Sequence, residues 1–313
     1  MKILIVGATS KTAEAIARNI YSTTNFELTL MTREKVFSRD ILRIKPIICD
    51  YMNLEALKAA VNLVQPQCIV NCVCAENVDE CETDHNKAIA LNVTLVENLV
   101  SICRVKNIHL LSFSTDYVFD GEKGPYAEDA RPNPISFYGK TKHIAENTIR
   151  TGMMKGTILR TNVIFGVSSF GKKNFIDYLI EKFEEGKPFS IVGAQFCNPI
   201  LTSEIAFAVK SALMNSLYGV YHVAGSTYLS RYEIAKRVER IFGYAPRDIA
   251  DSIVRMIPNN ELKQAAPRPI RGGLKTEISC DNLGLVFSDL DTALQNYKLQ
   301  VKMKQKFYDN YLI

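Results

Sequence analysis

Short runs of aliphatic and β-branched residues alternate with longer amphipathic stretches through the first 160 residues, and this alternation constrains the fold more than any other feature. Strands that alternate with helices along a chain indicate βαβ units, in which successive strands pair in parallel. The sequence therefore predicts an α/β fold built on a parallel sheet. We expect strands at 2–6, 27–31, 46–48, 68–72, 109–113 and 157–160, and helices at 11–21, 54–63, 85–105 and 137–150.

The rhythm loosens after Phe165-Gly166, where we expect helices at 175–185, 203–216 and 230–242 and a strand at 189–192. The prolines and paired glycines between positions 258 and 273 indicate an irregular, loop-rich stretch. This part is expected to form a smaller C-terminal α/β lobe that caps the sheet. The predicted division is 1–165 for the sheet domain and 166–313 for the lobe, and a return of lobe segments to the sheet domain is left open.

Composition favours an ordinary globular protein. The chain has 313 residues, of which 47% are hydrophobic and 23% charged, so a sizeable core is expected. Apolar runs are far shorter than the ~20 residues of a membrane span, and too little apolar sequence follows Met1-Lys2 for a secretory signal. The net charge of +5 is spread along the chain, which suits a small anionic ligand better than a nucleic acid. We therefore expect a cytoplasmic protein with no membrane and no nucleic-acid partner.

The eight cysteines do not predict a metal site. Cys68, Cys72, Cys74 and Cys81 are the most closely spaced, yet they lack the paired C-x-x-C arrangement of zinc sites. Three of them fall in one strand-like run, where free cysteine behaves as a small buried hydrophobe. Reduced thiols also fit the cytosol, and no metal is expected.

A glycine-containing turn joins the first predicted strand to the first predicted helix, in the run Val6-Gly7-Ala8-Thr9-Ser10-Lys11-Thr12-Ala13. Such a turn directs free N–H groups and the positive helix end toward a pyrophosphate. In the G-x-x-G-x-x-G form, the second and third glycines would be Ser10 and Ala13. Gly7, Ser10, Lys11 and Thr12 are therefore candidate cofactor residues, although an ordinary strand-to-helix turn explains this segment equally well. A Walker A loop is excluded, because it would need glycines at Ile5 and Ser10.

The end of the second strand bears on the choice of cofactor. An acidic residue there binds the ribose 2′-hydroxyl of NAD, whereas a basic one accepts the 2′-phosphate of NADP. This strand ends at Thr32-Arg33, so NADPH is predicted, with NADH as the alternative. Arg33 could equally be a solvated loop residue. Asp50 and Tyr51 follow the third strand and are candidates for the adenine contact, with an N-cap of the next helix as the other role for Asp50.

Tyr138 and Lys142 form a Y-x-x-x-K pair, which places a phenol and an ammonium one helical turn apart. A neighbouring cation lowers the pKa of a phenol, so Tyr138 is a candidate proton donor or acceptor. The pair is weak evidence alone, because this spacing also occurs by chance. A hydroxyl-rich run, Ser114-Thr115-Asp116-Tyr117, lies where the fifth strand ends, and open α/β sheets bind ligands at that edge.

Together these segments resemble the extended short-chain dehydrogenase/reductase superfamily and, within it, the dTDP-4-dehydrorhamnose reductase family. The strongest matches are the run Ser114 through Gly121, the run Tyr138 through Glu146 and the loop Asn71 through Glu82. Further matches spread over the chain are Arg160-Thr161, Phe165-Gly166, Asn174-Phe175, Gln195 with Pro199, Gly219-Val220-Tyr221-His222 and Arg268-Pro269.

The resemblance implies roles for these positions. Thr115, Tyr138 and Lys142 are implied to be the catalytic residues of a Rossmann-type doubly wound domain that binds NADP. Tyr138 and Lys142 are also implied to touch the cofactor, together with the loop residues Asn71, Cys72 and Val73. The residues implied to contact substrate are Asp116, Tyr117 and Val163. Val163 stands where the family usually carries a tryptophan, and this chain has none.

The implied activity is NAD(P)H-dependent reduction of the 4-keto group of a nucleotide-linked 6-deoxysugar, in deoxysugar or cell-surface polysaccharide biosynthesis. Related dehydratases carry a glutamate where this chain has Tyr117, which favours plain reduction. Two alternatives stay open: a non-catalytic NADP-binding regulatory subunit, similar to the β subunit of methionine adenosyltransferase, and a sugar-nucleotide epimerase. The expected partner is the nucleotide-sugar substrate, and a homodimer is the commonest assembly.

Overall fold

The computed structural model describes residues 1–33, 44, 46–153, 155–171, 173–244, 252–261 and 263–311, with side chains up to residue 304. Within these residues the strands are β1 (Lys2–Val6), β2 (Glu27–Thr32), β3 (Ile47–Ile48), β4 (Cys68–Asn71), β5 (His109–Thr115), β6 (Gly156–Thr161), β7 (Ile164–Phe165), β8 (Phe189–Val192), β9 (Phe196–Cys197), β10 (Ile200–Leu201), β11 (Gly219–His222), β12 (Leu229–Ser230) and β13 (Val254–Ile257). The helices are α1 (Lys11–Thr23), α2 (Leu54–Val64), α3 (Val78–Thr83), α4 (His85–Ile89), α5 (Leu95–Lys106), α6 (Phe137–Gly152), α7 (Phe175–Glu184), α8 (Thr202–Met214), α9 (Arg231–Phe242), α10 (Glu277–Leu283) and α11 (Leu290–Tyr311).

Seven parallel strands form the main sheet, in the order β3-β2-β1-β4-β5-β6-β11. Helices cover both faces, so β1 is apolar at every position from Ile3 to Val6. Ile3 and Ile5 pack with α1 and α8, whereas Leu4 and Val6 pack with α2, α5 and α6, as the alternation of strand side chains requires. This doubly wound arrangement confirms the predicted α/β Rossmann-type fold.

Segments from the second half of the chain return to this sheet. β11 pairs in parallel with β6 at the sheet edge, from Gly219 opposite Thr157 to His222 opposite Arg160. Helix α8 packs against α1 through a run of alanine and aliphatic residues. The boundary at residue 165 stays a prediction.

A smaller C-terminal lobe has its own core, built by α7, α9 and α11 around Leu179, Ile234 and Leu294. Three predicted helices of this part correspond to α7, α8 and α9, and the predicted strand corresponds to β8. The sequence did not predict α10 and α11, which follow the loop-rich stretch.

The predicted helix at 85–105 is interrupted. It consists of α4, a π-helical turn at Ala90–Thr94, and α5. Judged by length and composition, His85–Lys106 is the one helical stretch in the described chain that could cross a membrane, and half of it is buried inside the fold. Leu95 and Leu99 account for part of that burial, because they pack against the sheet.

Candidate active site

A cleft of about 360 Å³ opens at the carboxyl ends of the central strands. Strand order reverses between β1 and β4, and ligands of doubly wound sheets bind at this switch point. The cleft is lined from both halves of the chain by Ser10, Lys11, Thr12, Asn71, Cys72, Val73, Cys74, Glu76, Val78, Phe113, Ser114, Thr115, Asp116, Tyr117, Tyr138, Lys142, Thr161, Asn162, Val163, Ile164, Lys173, Asn174, Gln195, Phe196, Cys197, Arg231 and Pro269.

The turn after β1 forms one end of the cleft. Gly7 has a φ of +86°, and a Cβ at this position would lie 2.8 Å from Cγ2 of Val73. Only glycine fits this conformation and this close approach without strain. Ser10 is the N-cap of α1, because its hydroxyl accepts from the Ala13 N–H at 3.1 Å. Lys11 and Thr12 begin the helix and line the cleft.

Arg33, Asp50 and Tyr51 lie together beyond this turn rather than in the lining of the cleft. The Arg33 guanidinium stands 5.0 Å from the centre of the Tyr51 ring. Asp50 accepts from the Met52 N–H, while Asn53 caps α2. The alternative role of Asp50 as that N-cap is therefore wrong, because Asn53 is the residue adjacent to the first helical turn.

The loop after β4 passes beside the turn. Asn71 is buried, and its amide accepts from the Val73 N–H at 3.1 Å and donates to Ser112 at 3.3 Å. Its side chain therefore shapes the loop. Burial raises the pKa of Cys72 to about 12, although a hydrogen bond from Ser10 opposes this effect, so Cys72 is a neutral thiol.

A residue that sequence reasoning missed fixes this loop to helix α6. Asn92 sits in the π-helical turn, accepts from the Ala75 N–H at 2.8 Å and donates to the Thr141 hydroxyl at 3.1 Å. π-helical turns often occur at functional sites. Periodicity could not predict this one, since the stretch reads as one continuous helix.

Helix α6 is held at its amino end by three contacts. Ser136 caps it by accepting from the Gly139 N–H at 3.1 Å, and Glu82 accepts from the Phe137 N–H at 2.9 Å. A Cβ on Gly139 would lie 2.1 Å from the carbonyl oxygen of Tyr117. Gly139 therefore lets the helix approach the segment that follows β5.

Tyr138 meets Cys74, Thr115 and Tyr117 in the cleft. The Cys74 thiol lies 3.9 Å from the phenol oxygen, and the Tyr117 ring packs edge-on at 5.9 Å between ring centres. Burial, followed by the effect of Cys74, raises the pKa of Tyr138 well above its ordinary value, and a hydrogen bond from Thr115 opposes the shift. The predicted lowering of this pKa by Lys142 is wrong, because burial dominates. Tyr138 is protonated at neutral pH.

Lys142 lies one turn further along α6 and is 4% exposed. Its ammonium makes no ion pair with any carboxylate in the described part of the chain. A buried cation without an ionic partner is unfavourable in a folded chain unless a ligand compensates it. Lys142 also lines the cleft, so its charge is available there.

Asp116 has a different setting from the predicted substrate contact. Its carboxylate is 2% exposed, accepts from the Thr115 hydroxyl at 3.3 Å and accepts from the Gly273 N–H at 2.9 Å. Burial raises the pKa of Asp116 to about 6, although these hydrogen bonds and the charge of Arg231 oppose the rise. Asp116 thus joins Thr115 to the C-terminal loop.

That loop contacts α3 and reaches the cleft. The Arg268 guanidinium donates to the Asp79 carboxylate at 2.7 Å, and the Ala266 N–H donates to the same carboxylate at 3.0 Å. The following Pro269 lines the cleft. These contacts connect the C-terminal loop to α3, next to the loop after β4.

The far wall of the cleft comes from the second half of the chain. Val163 lies there, together with Lys173, Gln195 and Arg231, which sequence reasoning did not select for the site. Arg231 packs over the Phe175 ring at 4.3 Å and has no ion pair among the described residues. These residues are far apart in sequence, so only the fold brings them together.

Behind the cleft, α6 is tied to the sheet by a buried ion pair. Arg160 donates from Nε and Nη2 to the two carboxylate oxygens of Glu146, at 2.8 and 2.7 Å. Both side chains are 1% exposed. Burial would raise the pKa of Glu146, but Arg160 outweighs burial and lowers it.

Among the described residues, no group of three His, Cys, Asp or Glu side chains could hold a metal ion.

Comparison with known proteins agrees with this geometry. A family model described as the RmlD substrate binding domain matches residues 1–302. The chain belongs to this family. It is 29% identical, over 70% of its length and 74% of the relative's, to a dTDP-4-keto-6-deoxy-D-glucose reductase from Streptomyces niveus. It is also 25% identical, over 76% and 72%, to methionine adenosyltransferase 2 subunit beta from Danio rerio.

Solved structures of other proteins share this fold along nearly the whole chain. A dTDP-4-dehydrorhamnose reductase from Clostridium acetobutylicum superposes with a TM-score of 0.84 and 26% identity, covering 96% of this chain and 100% of that one. The dTDP-4-dehydrorhamnose reductase from Bacillus anthracis, solved with NADP, gives a TM-score of 0.82 and 22% identity over 96% and 99%.

Proposed function

We propose that this protein reduces the 4-keto group of a nucleotide-linked 6-deoxysugar with NADPH. The observation that carries the proposal is the convergence of Thr115, Tyr138 and Lys142 on one cleft that is also lined by Ser10, Lys11 and Thr12, where α1 begins. A hydroxyl, a protonated phenol and a buried cation are the groups that carbonyl reduction requires near the substrate oxygen.

The turn and its neighbours fit a dinucleotide. Gly7 lets the turn approach Val73 closely, and the residues that begin α1 line the cleft, where the positive end of the helix suits a pyrophosphate. Lys142 carries a buried charge suited to a ribose hydroxyl. Ser10, Lys11 and Thr12 would hold the pyrophosphate, and the loop Asn71–Val73 would pass beside the nicotinamide half. Arg33 and Tyr51 would receive the adenosine end, with Arg33 directed at a 2′-phosphate and Asp50 beside the adenine.

Proton delivery is assigned to the residues of the cleft. When bound, NADPH supplies the hydride for the carbonyl carbon. Tyr138 is protonated at neutral pH and donates its proton to the carbonyl oxygen. The Thr115 hydroxyl, which donates to Asp116 in this structure, would turn to donate its one hydrogen to the same oxygen. The Lys142 ammonium stabilises the phenolate that Tyr138 leaves behind.

The far wall accommodates the nucleotide sugar. Arg231 presents positive charge to the cleft, which suits the diphosphate of the substrate. Lys173 also lines the cleft, but its ammonium pairs with Glu181 at 2.7 Å. Tyr117 and Val163 would contact the sugar. Asp116 would act through Thr115 and Gly273, since both carboxylate oxygens are engaged within the chain.

The relationship to methionine adenosyltransferase 2 subunit beta favours a second candidate, a non-catalytic NADP-binding regulatory subunit. The intact trio Thr115, Tyr138 and Lys142 supports the reductase. An epimerase is the third candidate and would make product without net consumption of the cofactor.

The proposed setting is the cytoplasm, in deoxysugar or polysaccharide biosynthesis, with a homodimer as the proposed assembly. Eight cysteines without a disulfide suit a reducing compartment. Size-exclusion chromatography with light scattering would test the assembly.

Oxidation of NADPH tests the activity. Purified protein should oxidise NADPH with dTDP-4-keto-6-deoxy-D-glucose and related 4-keto-6-deoxy nucleotide sugars, and should do so more slowly with NADH. Product configuration at C4 would be determined by NMR. A protein that binds NADPH but oxidises it with no member of a broad panel would support the regulatory subunit instead.

A further inference from the structure

The buried ion pair behind the cleft belongs to a larger network, which we call the Arg160 network and define as Arg160, Glu146, His222 and Glu128. Arg160 is the largest fully buried side chain among the described residues. Besides Glu146, its guanidinium donates from Nη1 to the carbonyl oxygen of Glu128 at 3.3 Å and to Nε2 of His222 at 3.4 Å. The Phe119 ring lies 5.1 Å away, below the guanidinium.

His222 is fixed in one protonation state. Its Nδ1 donates to the carbonyl oxygen of Lys275 at 2.9 Å, which leaves Nε2 as the acceptor for Arg160. Burial lowers the pKa of His222 to about 4, so the ring is neutral. Ser279 completes the network by accepting from the His222 N–H at 2.6 Å and donating to the Glu128 carboxylate at 2.5 Å. Arg160, His222 and Ser279 therefore each donate to acceptors within the fold.

The network lies between the two elements that carry the catalytic groups. Glu146 follows Lys142 by four residues and Tyr138 by eight, so all three share one face of α6. On the sheet side, Arg160 is the register partner of Ser114, and Thr115 pairs with Thr161. One guanidinium fork thus sets the distance and rotation between the catalytic helix and the strand that ends in Thr115.

We propose that Arg160 and Glu146 are positioning residues, whose bidentate pairing holds Tyr138 and Lys142 in register with Thr115. The proposal rests on the proposed function for its catalytic readout. A merely structural ion pair should be replaceable, because well-packed apolar side chains of similar size often match or exceed a buried salt bridge in stability. An ion pair that positions the helix should not be replaceable in this way. Apolar contacts do not fix the relative orientation of two elements as a forked hydrogen bond does.

The test compares stability with activity in the double variant Glu146→Leu/Arg160→Met. We expect its midpoint of thermal unfolding to return close to that of wild type, while kcat stays about 10- to 100-fold lower, since displacements near 1 Å have effects of this size. Affinity for NADPH, measured by fluorescence titration, should also weaken several-fold through Lys142. Full recovery of kcat and NADPH affinity together with stability would overturn the proposal.

Two further variants keep the test decisive. Arg160→Lys retains the charge and loses the fork, so a folded Arg160→Lys protein should also show reduced kcat and NADPH affinity. If the double variant does not fold, wild-type values in Arg160→Lys overturn the proposal. The matched control is Lys236→Met/Glu239→Leu, which removes the ion pair between Lys236 and the buried Glu239 on α9 and should leave kcat unchanged.

The two proposals fail differently. If wild-type protein reduces no nucleotide sugar, the proposed function fails, and the NADPH titrations of the same variants still decide whether the fork holds Lys142. If wild-type protein is active and the double variant is equally active and equally tight in NADPH binding, only the positioning role fails.

Discussion

The two halves of helix α6 differ in whether their buried charged side chain has an ionic partner. The amino-terminal half presents Tyr138 and Lys142 to the cleft, where the Lys142 ammonium has no ionic partner in the described chain. The other half buries Glu146 against Arg160 with both carboxylate oxygens engaged. The difference indicates that the Glu146 carboxylate serves the fold, whereas the Lys142 ammonium is open to a ligand.

Tyr138→Phe should have the largest effect. Removal of the proton donor should reduce kcat about 1000-fold, a typical loss for a general acid, while NADPH affinity changes little. Steady-state kinetics and fluorescence titration would measure both. The matched control is Tyr221→Phe, which removes a hydroxyl that donates to the Tyr218 carbonyl oxygen at the surface and should keep wild-type kcat. A similar kcat for both variants would refute the role of Tyr138.

Arg160→Met should lower stability, in addition to the loss of kcat expected when the guanidinium fork is removed. It leaves Glu146 buried without a partner, and loss of one partner in such a pair lowers the free energy of unfolding by about 3–5 kcal/mol. Arg237→Met is the matched control, because Arg237 pairs with Asp291 near the surface, where the loss should be below about 1 kcal/mol. Urea unfolding would measure both, and equal losses would contradict the expectation that the buried Glu146–Arg160 pair contributes more to stability than a pair near the surface.

Lys142→Met should show the opposite balance. Because the Lys142 ammonium has no ionic partner among the described residues, its removal should leave the free energy of unfolding unchanged or higher. NADPH affinity should fall about tenfold, the size of one lost charged hydrogen bond. A large loss of stability with unchanged NADPH affinity would place Lys142 with the structural groups.

The smallest expected effect is a pH dependence from Asp116, whose pKa is raised to about 6 mainly by burial. Protonation below this pH removes an acceptor for Thr115 or Gly273, so kcat/KM should fall about threefold below pH 6 and then level off, the size of one lost hydrogen bond. Asp116→Asn should lack this decline. A decline of equal steepness in the variant would assign it to another group.

Stability should change with pH in the same comparison. The pKa of Asp116 in the folded chain lies above its ordinary value of 3.8, so the folded chain binds this proton more tightly. Its contribution to the free energy of unfolding therefore decreases as the pH rises from 3.8 to about 6. His222, with its lowered pKa, contributes with the opposite sign, and the difference between wild type and Asp116→Asn isolates the Asp116 part.

Local patterns predicted six of the seven strands of the main sheet, all but β11, and helix α6. Alternating apolar runs predicted β1 to β6, and the spacing of Tyr138 and Lys142 placed both on one helix face that borders the cleft. These features depend on residues close in sequence, so the periodicity of the sequence is enough to predict them.

Long-range features could not be predicted in the same way. Arg231 and Lys173 reach the cleft only because the lobe folds over the sheet. The direction of the Tyr138 pKa shift depends on burial by segments that are distant in sequence. Glu146 and Arg160 belong to two separate motifs of the family resemblance, and nothing in the sequence predicts that their side chains pair. Tertiary structure decides burial and partner choice.

Isotope transfer tests the reductase most directly. NADPH carrying deuterium at the transferable position of nicotinamide C4 would be incubated with the protein and dTDP-4-keto-6-deoxy-D-glucose, and the product would be analysed by NMR and mass spectrometry. We predict one deuterium at C4 of the sugar for each NADPH oxidised, and no transfer by Tyr138→Phe. Product without net oxidation would indicate an epimerase, and absence of product with intact NADPH binding would contradict the assignment of a reductase.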